Sequence, residues 1–387
     1  MVEAVHLSFV KYILLLAGCY HPSKYKKKLD RYVYIFYKYM FDIYFVTNCL
    51  LLVLGMLQNM DCTPIVAETF SYALLFGVIY IINIQVKSPK VKNIFVDMEK
   101  QEVNYLKFGN SDVLKILKYY ANINHSINKT VAVMVIFFSI YFVVSKRFIS
   151  NKPLYYQYYP FDREHFAVLE LIFHVMFLYT CDIYFIFSKA SIIMLIMYMM
   201  FRLKTVQYFL KNLDHFTTVT KERFKISEND ARYCVVKSIV KDHCSVIDFI
   251  VNVRECCSTF ILLDFFLTSI QLGAILLKIY PGFEGETFWE KVAAILFVVT
   301  ENRPMWIMYY YGSELMYESG NISTIAYTET LWYEYDKKTK DALLLLMLRS
   351  QRILYLKIGP LGIVGVEAFL QLCKATLSYI TFMKSFY

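Results

Sequence analysis

The sequence is poor in charge and lacks the local patterns of common catalytic and metal sites. Only 19% of its 387 residues are Asp, Glu, Lys or Arg, against about 25% in soluble globular proteins. Disordered and nucleic-acid-coating chains need high charge and little hydrophobicity, so both classes are excluded. None of the seven histidines stands in an HExxH or paired spacing, and no GxSxG or phosphate-binding glycine loop occurs. The sequence therefore predicts no enzyme and no cofactor.

The nine cysteines also lack a metal-binding arrangement. They form no CxxC pair and no Cys/His cluster with zinc spacing. Most of them lie inside apolar runs, which is typical of buried free thiols that pack as small hydrophobic residues. We therefore expect free thiols and no metal site.

Apolar surface is what the sequence has in excess. Apolar residues make up 58% of the chain, 18% of the residues are aromatic, and the mean hydropathy is +0.42. A soluble domain contains about 45–50% apolar residues, so the surplus has to face lipid. These values predict an integral membrane protein.

Seven stretches are able to cross a hydrocarbon core of about 30 Å, which takes roughly 20 helical residues. They lie at 43–60, 65–86, 130–145, 166–201, 256–277, 292–311 and 358–383. The third is the shortest, but Lys129 and Lys146 can extend to the interface at its two ends. The predicted fold is an all-α, seven-transmembrane helical membrane protein.

The distribution of basic residues predicts the orientation of these spans. With a cytosolic N-terminus, 31 Lys and Arg residues fall in inner segments and 6 in outer loops. This orientation is inverted relative to a G-protein-coupled receptor, and the Asp-Arg-Tyr and Asn-Pro-x-x-Tyr signatures of that class are missing. The predicted division is a cytosolic segment with an amphipathic helix (1–42), spans one to four (43–201), cytosolic helical extensions (202–255), spans five and six (256–311), cytosolic anchor helices (312–357) and span seven (358–387).

Apolar residues continue at helical spacing beyond the predicted end of span four, as far as Phe216, so span four is predicted to continue as one amphipathic helix over 166–216. The same spacing precedes span five. These apolar faces need partners in the cytosol, so they either assemble subunits into a helical bundle or pack within the chain.

The last span carries a polar stripe about 80° wide on an ideal helix. Its members are Glu367, Gln371, Lys374, Ser378, Thr381 and Ser385. Polar side chains inside a membrane usually face water or one another. The stripe therefore either packs against polar groups of its own subunit or lines a conduit, and a conduit requires several subunits.

Two pairs of charged residues inside other spans are candidates for pairing or gating. Asp182 and Lys189 are seven residues apart on span four, so we expect them to neutralise each other. Glu301 and Arg303 on span six face different directions, and each needs another partner. Their roles stay open at this stage.

Aromatic residues at i, i+4 spacing recur in the outer halves of spans two, three and four, with one further ring on span six. The candidate ligand-binding residues are Tyr72, Phe76, Phe138, Tyr141, Phe142, Phe173, His174, Phe177 and Phe297. A cavity walled by such rings suits a small apolar ligand that is held mainly by burial. The alternative is that these rings face lipid or pack against one another.

The C-terminal third carries an ordered series of short motifs. They are Gly312-Ser313-Glu314-Leu315, Leu331-Trp332-Tyr333-Glu334, Arg349-Ser350-Gln351 and Glu367-Ala368-Phe369, followed by Lys374-Ala375 and Ser378-Tyr379. This series resembles the signature of insect odorant receptors, and the loop motif Tyr158-Tyr159-Pro160-Phe161-Asp162 resembles that of the same family. The short region 202–254 is similar to the odorant-tuned subunit, since the co-receptor has an extended loop there.

The resemblance implies a ligand-gated, nonselective cation channel in the plasma membrane, in the dendritic cilia of olfactory sensory neurons. An odorant-tuned subunit would assemble with a co-receptor into a heterotetramer, and its other partners would be a small volatile odorant, membrane lipid and permeating cations, with no nucleic acid. The odorant would bind among spans two, three, four and six. The last span would surround the pore, with Phe382 and Phe386 as a hydrophobic gate beside Ser385.

Two other functions remain open. A gustatory-receptor-like channel shares the architecture, but that branch favours terminal Thr-Tyr and Gln-Phe pairs where this sequence has Ser378-Tyr379 and Met383-Lys384. A small-molecule transporter is expected to show internal repeats or paired broken helices, and the sequence shows neither.

Overall fold

The described part of the chain is almost entirely helical, as the sequence predicts. The computed structural model describes residues 6, 15–18, 28–61, 63–159, 165–279 and 287–384. Its α-helices are α1 (Lys28–Gln58), α2 (Thr63–Val86), α3 (Pro89–Phe108), α4 (Ser111–Val143), α5 (Ala167–Lys211), α6 (Leu213–Phe224), α7 (Glu228–Ile279), α8 (Phe288–Thr328), α9 (Lys337–Ser350) and α10 (Val366–Lys384). A π-helical turn (Val144–Ile149), a 3₁₀ turn (Trp332–Glu334) and strands β1 (Lys357–Ile358) and β2 (Gly362–Ile363) complete it. The all-α class is confirmed.

The longest apolar stretch forms the centre of the bundle. Helix α5 has 45 residues, and its most apolar window is fully buried inside the protein. It packs against α1, α2, α4, α7 and α8. A helix that is apolar on all sides has no solvent-facing side, so the other helices surround α5.

Local side-chain caps set several helix boundaries. Helix α3 begins with Ser88 as N-cap and Pro89 at its first position, and it ends at Gly109, whose φ of 72° is left-handed. Asn110 then caps α4 by accepting hydrogen bonds from two backbone N–H groups. Because these residue types satisfy orphan groups at helix ends, the turn between α3 and α4 needs only Gly109 and Asn110.

The prediction of one continuous helix from 166 to 216 is wrong at one point. Helix α5 ends at Lys211, and α6 begins at Leu213. The Asn212 side chain donates a hydrogen bond to the Tyr208 carbonyl at 2.9 Å. The backbone of Asn212 itself leaves the helical range, with φ −109° and ψ 27°, and this ends α5.

The last helix begins eight residues later than the predicted span. Strands β1 and β2 form a short antiparallel hairpin, and α10 begins only at Val366. Gly359 has a left-handed φ of 48°, and its N–H donates to the Ser258 carbonyl on α7 at 3.1 Å. A left-handed residue followed by Pro360 cannot continue a helix, so the hairpin fastens the chain to α7 before α10 begins.

Within the described residues, four helices are long and apolar enough to span a membrane by length and composition. They lie at Asp30–Gln58, Glu68–Val86, Ser111–Ile149 and Ala167–Lys211. The predicted spans at 256–277 and 292–311 lie within α7 and α8. The predicted N-terminal amphipathic helix falls largely outside the described residues.

Candidate functional site

Most of the predicted ligand-binding rings form one aromatic cluster, which joins α2, α4, α5 and α8. The shortest distance within it is 5.0 Å, between the ring centroids of Phe76 and Phe177. Phe138 contacts Phe297 at 5.4 Å. Such centroid separations are those of rings in direct contact. The aromatic cluster consists of Tyr72, Phe76, Phe138, Phe142, Tyr155, His174, Phe177 and Phe297.

Tyr155 lies in the middle of this cluster, and sequence reasoning missed it. It belongs to the non-helical segment 151–159, yet only 1% of its surface is exposed. Loops normally lie on the surface with polar side chains. The run Leu154-Tyr155-Tyr156 departs from that pattern, and this departure is the signal that could have identified a loop packed into the bundle.

A buried ion pair closes one side of the aromatic cluster. Lys146 Nζ lies 2.6 Å from Glu68 Oε1, and the Tyr72 hydroxyl donates to the same carboxylate oxygen at 3.2 Å. The Lys146 ammonium also lies over the rings of Tyr72 and Phe142, at 5.4 and 5.5 Å from their centroids. This arrangement places a cation and a carboxylate beside otherwise apolar walls.

A second polar contact joins the loop to α5. Tyr159 Oη lies 2.6 Å from His174 Nε2, and the Tyr159 hydroxyl donates to Gln157 Oε1 at 2.9 Å. Because a phenol has one proton to donate, its oxygen accepts the bond from the imidazole N–H. His174, which is 1% exposed, is therefore held between Tyr159 and the Tyr155 ring.

Two predicted ligand residues lie beside the aromatic cluster instead of inside it. The Tyr141 hydroxyl donates to the Trp289 carbonyl at 3.3 Å. Phe173 is 41% exposed, and its ring lies 6.4 Å from that of Tyr44 on α1. The i, i+4 pattern could not separate these positions from Phe142 and Phe177, because it ignores which helix face is covered.

The polar stripe of α10 faces away from the rest of the chain where its side chains are described. Glu367, Gln371, Lys374 and Ser378 are exposed, whereas Leu372 and Thr376 are buried against the protein. The stripe is thus not enclosed by its own subunit. The side chains of Thr381 and Phe382, and residues Ser385 and Phe386 as a whole, lie outside the described residues.

The pairing predicted between Asp182 and Lys189 is wrong. Lys189 Nζ lies 2.6 Å from Asp264 on α7 and 3.6 Å from Glu301 on α8, while Asp182 accepts a 2.6 Å hydrogen bond from Ser139. A separation of seven residues spans two helical turns, so partners on neighbouring helices are closer. We call Lys189, Asp264 and Glu301 the ion triad; all three side chains are buried.

Arg303 has a different environment from the ion triad. Its Nη1 lies 2.8 Å from the thioether sulfur of Met134 on α4. Glu301 and Arg303 thus have separate partners, as their spacing predicts. The contact with Met134 gives Arg303 no chemical role.

A polar cluster joins α3, α5 and α7 on the side predicted to be cytosolic. Arg202 Nη2 lies 3.1 Å from Asp242 Oδ1 and hydrogen-bonds Gln101 through Nη1. The Tyr105 hydroxyl donates to Asp242 at 2.9 Å, and burial raises the pKa of this phenol. Nearby on α7, burial and the charge of Arg349 lower the pKa of His243 to about 4. The side chain is therefore neutral at pH 7.

Within the described residues, no group of three or more His, Cys, Asp or Glu side chains could hold a metal ion. The features that point to a ligand are the aromatic cluster and its polar contacts. The polar stripe of α10 is an exposed surface. Both lie on helices anchored by the central α5 and by α7 and α8.

Comparisons with known proteins agree with this architecture. The chain is 26% identical over 178 residues to Odorant receptor 10 of Aedes albopictus, which is 46% of either chain. It is 26% identical over 183 residues to Odorant receptor 82a of Drosophila melanogaster, or 44% of either chain. The chain thus covers less than half the length of these curated relatives.

Solved structures resemble the fold over nearly its whole length. The insect olfactory receptor OR5 from Machilis hrabei in complex with eugenol matches with a TM-score of 0.80 and 12% identity, covering 98% of both chains. The structure of that receptor described without eugenol matches with a TM-score of 0.76 over 97% of both chains. Such a likeness shows a seven-transmembrane fold of the olfactory-receptor type, and therefore a multi-pass membrane protein. A model of the 7tm Odorant receptor family matches residues 110–377, so the chain belongs to the insect odorant receptor family.

Proposed function

We propose that this chain is the odorant-binding subunit of a ligand-gated, nonselective cation channel in olfactory neurons. It assembles with the odorant receptor co-receptor into a heterotetramer in the plasma membrane of dendritic cilia. The observation that carries the proposal is the combination of a buried aromatic cluster with a polar helix face left uncovered by its own subunit. Family membership supports the same function.

The aromatic cluster is the proposed odorant site. Its walls are apolar rings, and burying about 200 Å² of ligand surface contributes about 5 kcal/mol at roughly 25 cal/mol per Å². Lys146 and Glu68 supply one polar side, which selects among ligands of equal size by hydrogen bonding. A solved family fold contains eugenol, which is a single-ring aromatic molecule and so a reasonable first probe. Tyr141 and Phe173 border this site.

Helix α10 is the proposed pore lining. Its exposed polar residues would face a wet passage shared with neighbouring subunits, since polar groups at membrane depth face water or each other. Thr381 and Ser385 continue the stripe, and Phe382 and Phe386 form the proposed hydrophobic gate, which closes a narrow pore by dewetting. The segments at 202–255 and 312–357 form the proposed cytosolic anchor between subunits. The ligand opens the gate only to the extent that it binds the open state more tightly.

Recording membrane current tests the whole proposal. Cells that express the chain with a co-receptor are exposed to a panel of volatiles that includes eugenol, and cells with either subunit alone are the controls. Cation current that needs both subunits supports the proposal. Current evoked by a tastant from this chain alone would favour a gustatory-type channel, and substrate flux without current would favour a transporter.

The gate is tested separately with Phe382→Ala and Phe386→Ala. We expect a raised basal current without ligand, because a smaller apolar ring of side chains no longer expels water from the passage. Phe382→Leu keeps an apolar side chain and is the matched control. Unchanged basal current and unchanged ligand response in both alanine variants would remove these residues from the gate.

A further inference from the structure

The space between the rings of the proposed odorant site is filled by a ring of the protein itself, that of Tyr155. Tyr155 contacts five rings of the aromatic cluster with centroid separations between 5.2 and 6.1 Å: Tyr72, Phe76, Phe142, His174 and Phe177. These partners lie on α2, α4 and α5. Four of the five contacts are edge-to-face, the preferred geometry of aromatic pairs. Tyr155 is therefore surrounded by the same residues that would surround a ligand.

The segment 151–159, here called the Tyr155 loop, is held by contacts that do not use the Tyr155 ring. The Tyr158 N–H donates to the Leu51 carbonyl at 3.0 Å, and Lys146 Nζ donates to the Leu154 carbonyl at 3.3 Å. On α1, a Cβ at Gly55 would come within 2.2 Å of the Tyr156 carbonyl oxygen. The loop backbone thus lies directly against the bare backbone of Gly55, which fixes how deeply the ring enters.

A ligand and the Tyr155 ring need the same space. The rings of the aromatic cluster touch one another, so a guest of similar size enters only when one ring leaves. The other rings are attached to packed helices, whereas Tyr155 is attached to a short non-helical loop. Moving the loop disturbs fewer packing contacts than moving a helix, because packed interiors resist deformation.

We propose that Tyr155 is an internal competitor for the odorant site, and that the activating ligand is a single-ring aromatic or similarly sized apolar molecule that replaces its ring. This inference rests on the proposed odorant function. Ring exchange leaves the buried apolar area nearly unchanged, so the site rejects molecules much larger than a tyrosine side chain. Displacement of the Tyr155 loop also releases the contacts at Leu51 and Lys146, which connects ligand entry to α1 and to the π-helical turn after α4.

The test uses 4-methylphenol, which has the shape of a tyrosine side chain, as the probe. The full chain is expressed with the co-receptor, and two quantities are measured: the concentration for half-maximal current and the thermal stabilisation of the purified complex. If the ring occupies the site in nine molecules of ten, removing it strengthens apparent binding about tenfold. Tyr155→Ala should therefore bind 4-methylphenol about tenfold more tightly than the unmodified chain, since apolar cavities bind aromatic guests. Tyr155→Phe keeps the ring and should behave as the unmodified chain.

A second pair of variants moves the loop without touching the ring. Gly55→Ala places a methyl group against the Tyr156 carbonyl and should increase sensitivity to 4-methylphenol. Gly77→Ala on α2 is the matched control, because a Cβ there meets nothing within 4 Å. This pair decides the question if Tyr155→Ala fails to reach the membrane.

The outcomes separate this inference from the proposed function. Unchanged or weaker 4-methylphenol binding in Tyr155→Ala, or equal sensitivity in the two glycine variants, would overturn the competitor role and leave the channel function intact. Selective stabilisation of Tyr155→Ala by 4-methylphenol without current from any volatile would support the site and contradict the channel.

Discussion

Helix α5 connects two buried regions, one held together by contacts between aromatic rings and the other by ion pairs. Near its beginning, His174 and Phe177 belong to the aromatic cluster, where the contacts are ring to ring. Further along, Lys189 belongs to the ion triad, where one ammonium lies between two carboxylates. Aromatic packing is adaptable, since rings keep favourable contacts over a range of angles and distances. An ion triad requires one geometry.

The difference indicates which region accepts a guest and which one keeps the helices in register. A foreign ring can replace Tyr155 among rings at little cost in buried area. Nothing apolar can replace Lys189 alone, since removing one partner of a buried ion pair leaves an uncompensated charge. The aromatic cluster is therefore the adaptable end of α5, and the ion triad is its fixed point against α7 and α8.

The largest expected effect comes from breaking the ion triad. Lys189→Met leaves Asp264 and Glu301 without their cation, and losing one partner of a buried pair costs about 4 kcal/mol. We expect a strong loss of surface expression and a lower melting temperature of the purified complex, by fluorescence-detected thermal unfolding.

The matched control removes all three charges at once. Lys189→Met combined with Asp264→Asn and Glu301→Gln leaves no buried charge, so it should recover much of the lost stability. If the triple variant is as unstable as Lys189→Met alone, packing and not charge accounts for the loss.

The second effect tests the aromatic cluster. Phe177 is 0% exposed, and Phe177→Ala should cost about 3 kcal/mol through lost contacts and a residual cavity. Phe173→Ala, one helical turn earlier at a half-exposed position, should cost far less and is the control. Unlike Lys189→Met, the Phe177→Ala defect should be partly reversed by a saturating aromatic ligand that fills the cavity, measured as ligand-induced thermal stabilisation. Equal ligand rescue of both defects would remove the distinction between the two regions.

The sequence predicts much of this architecture, because lipid leaves few alternatives. Long uncharged runs must be helices when no water is available to the backbone, and apart from Phe173 the i, i+4 rings on α2, α4 and α5 do meet. Lys189 shows what local spacing does not predict. Its partners are 75 and 112 residues away, and no local spacing contains that information.

Tyr155 and Asn212 show a different limit. A loop residue has no periodicity, so nothing in the neighbouring sequence fixes which way Tyr155 points. The break at Asn212 is a change of backbone conformation at one residue, within an apolar helical pattern that continues on both sides. In both cases the outcome depends on the conformation of a single residue, which no periodicity encodes.

A third prediction concerns His243, a buried histidine on α7 whose environment differs from that of Asp264 in the ion triad. Asp264 lies 2.6 Å from the Lys189 ammonium, whereas burial and the charge of Arg349 lower the pKa of His243 to about 4. Between pH 6.5, where an unfolded histidine titrates, and pH 4, the unfolded chain binds a proton that the folded chain does not. Stability therefore falls with falling pH, by about 1.4 kcal/mol for each pH unit. Thermal unfolding of His243→Gln between pH 7 and pH 5 should show a flatter dependence, and an unchanged slope would contradict this role.

The smallest effect concerns the hydrogen bond between the Tyr155 loop and α5. Tyr159→Phe removes the hydroxyl that contacts His174 Nε2 and donates to Gln157 Oε1, and each lost bond costs about 1 kcal/mol. Tyr179→Phe, at a side chain that is 58% exposed, should have no measurable effect. Because the bond fastens the loop whose ring competes with the ligand, Tyr159→Phe should lower the melting temperature and also increase sensitivity to 4-methylphenol. The decisive result is a lower melting temperature together with a higher sensitivity to 4-methylphenol. If the bond only stabilised the fold, its loss would reduce the stability and the ligand response together, as breaking the ion triad would.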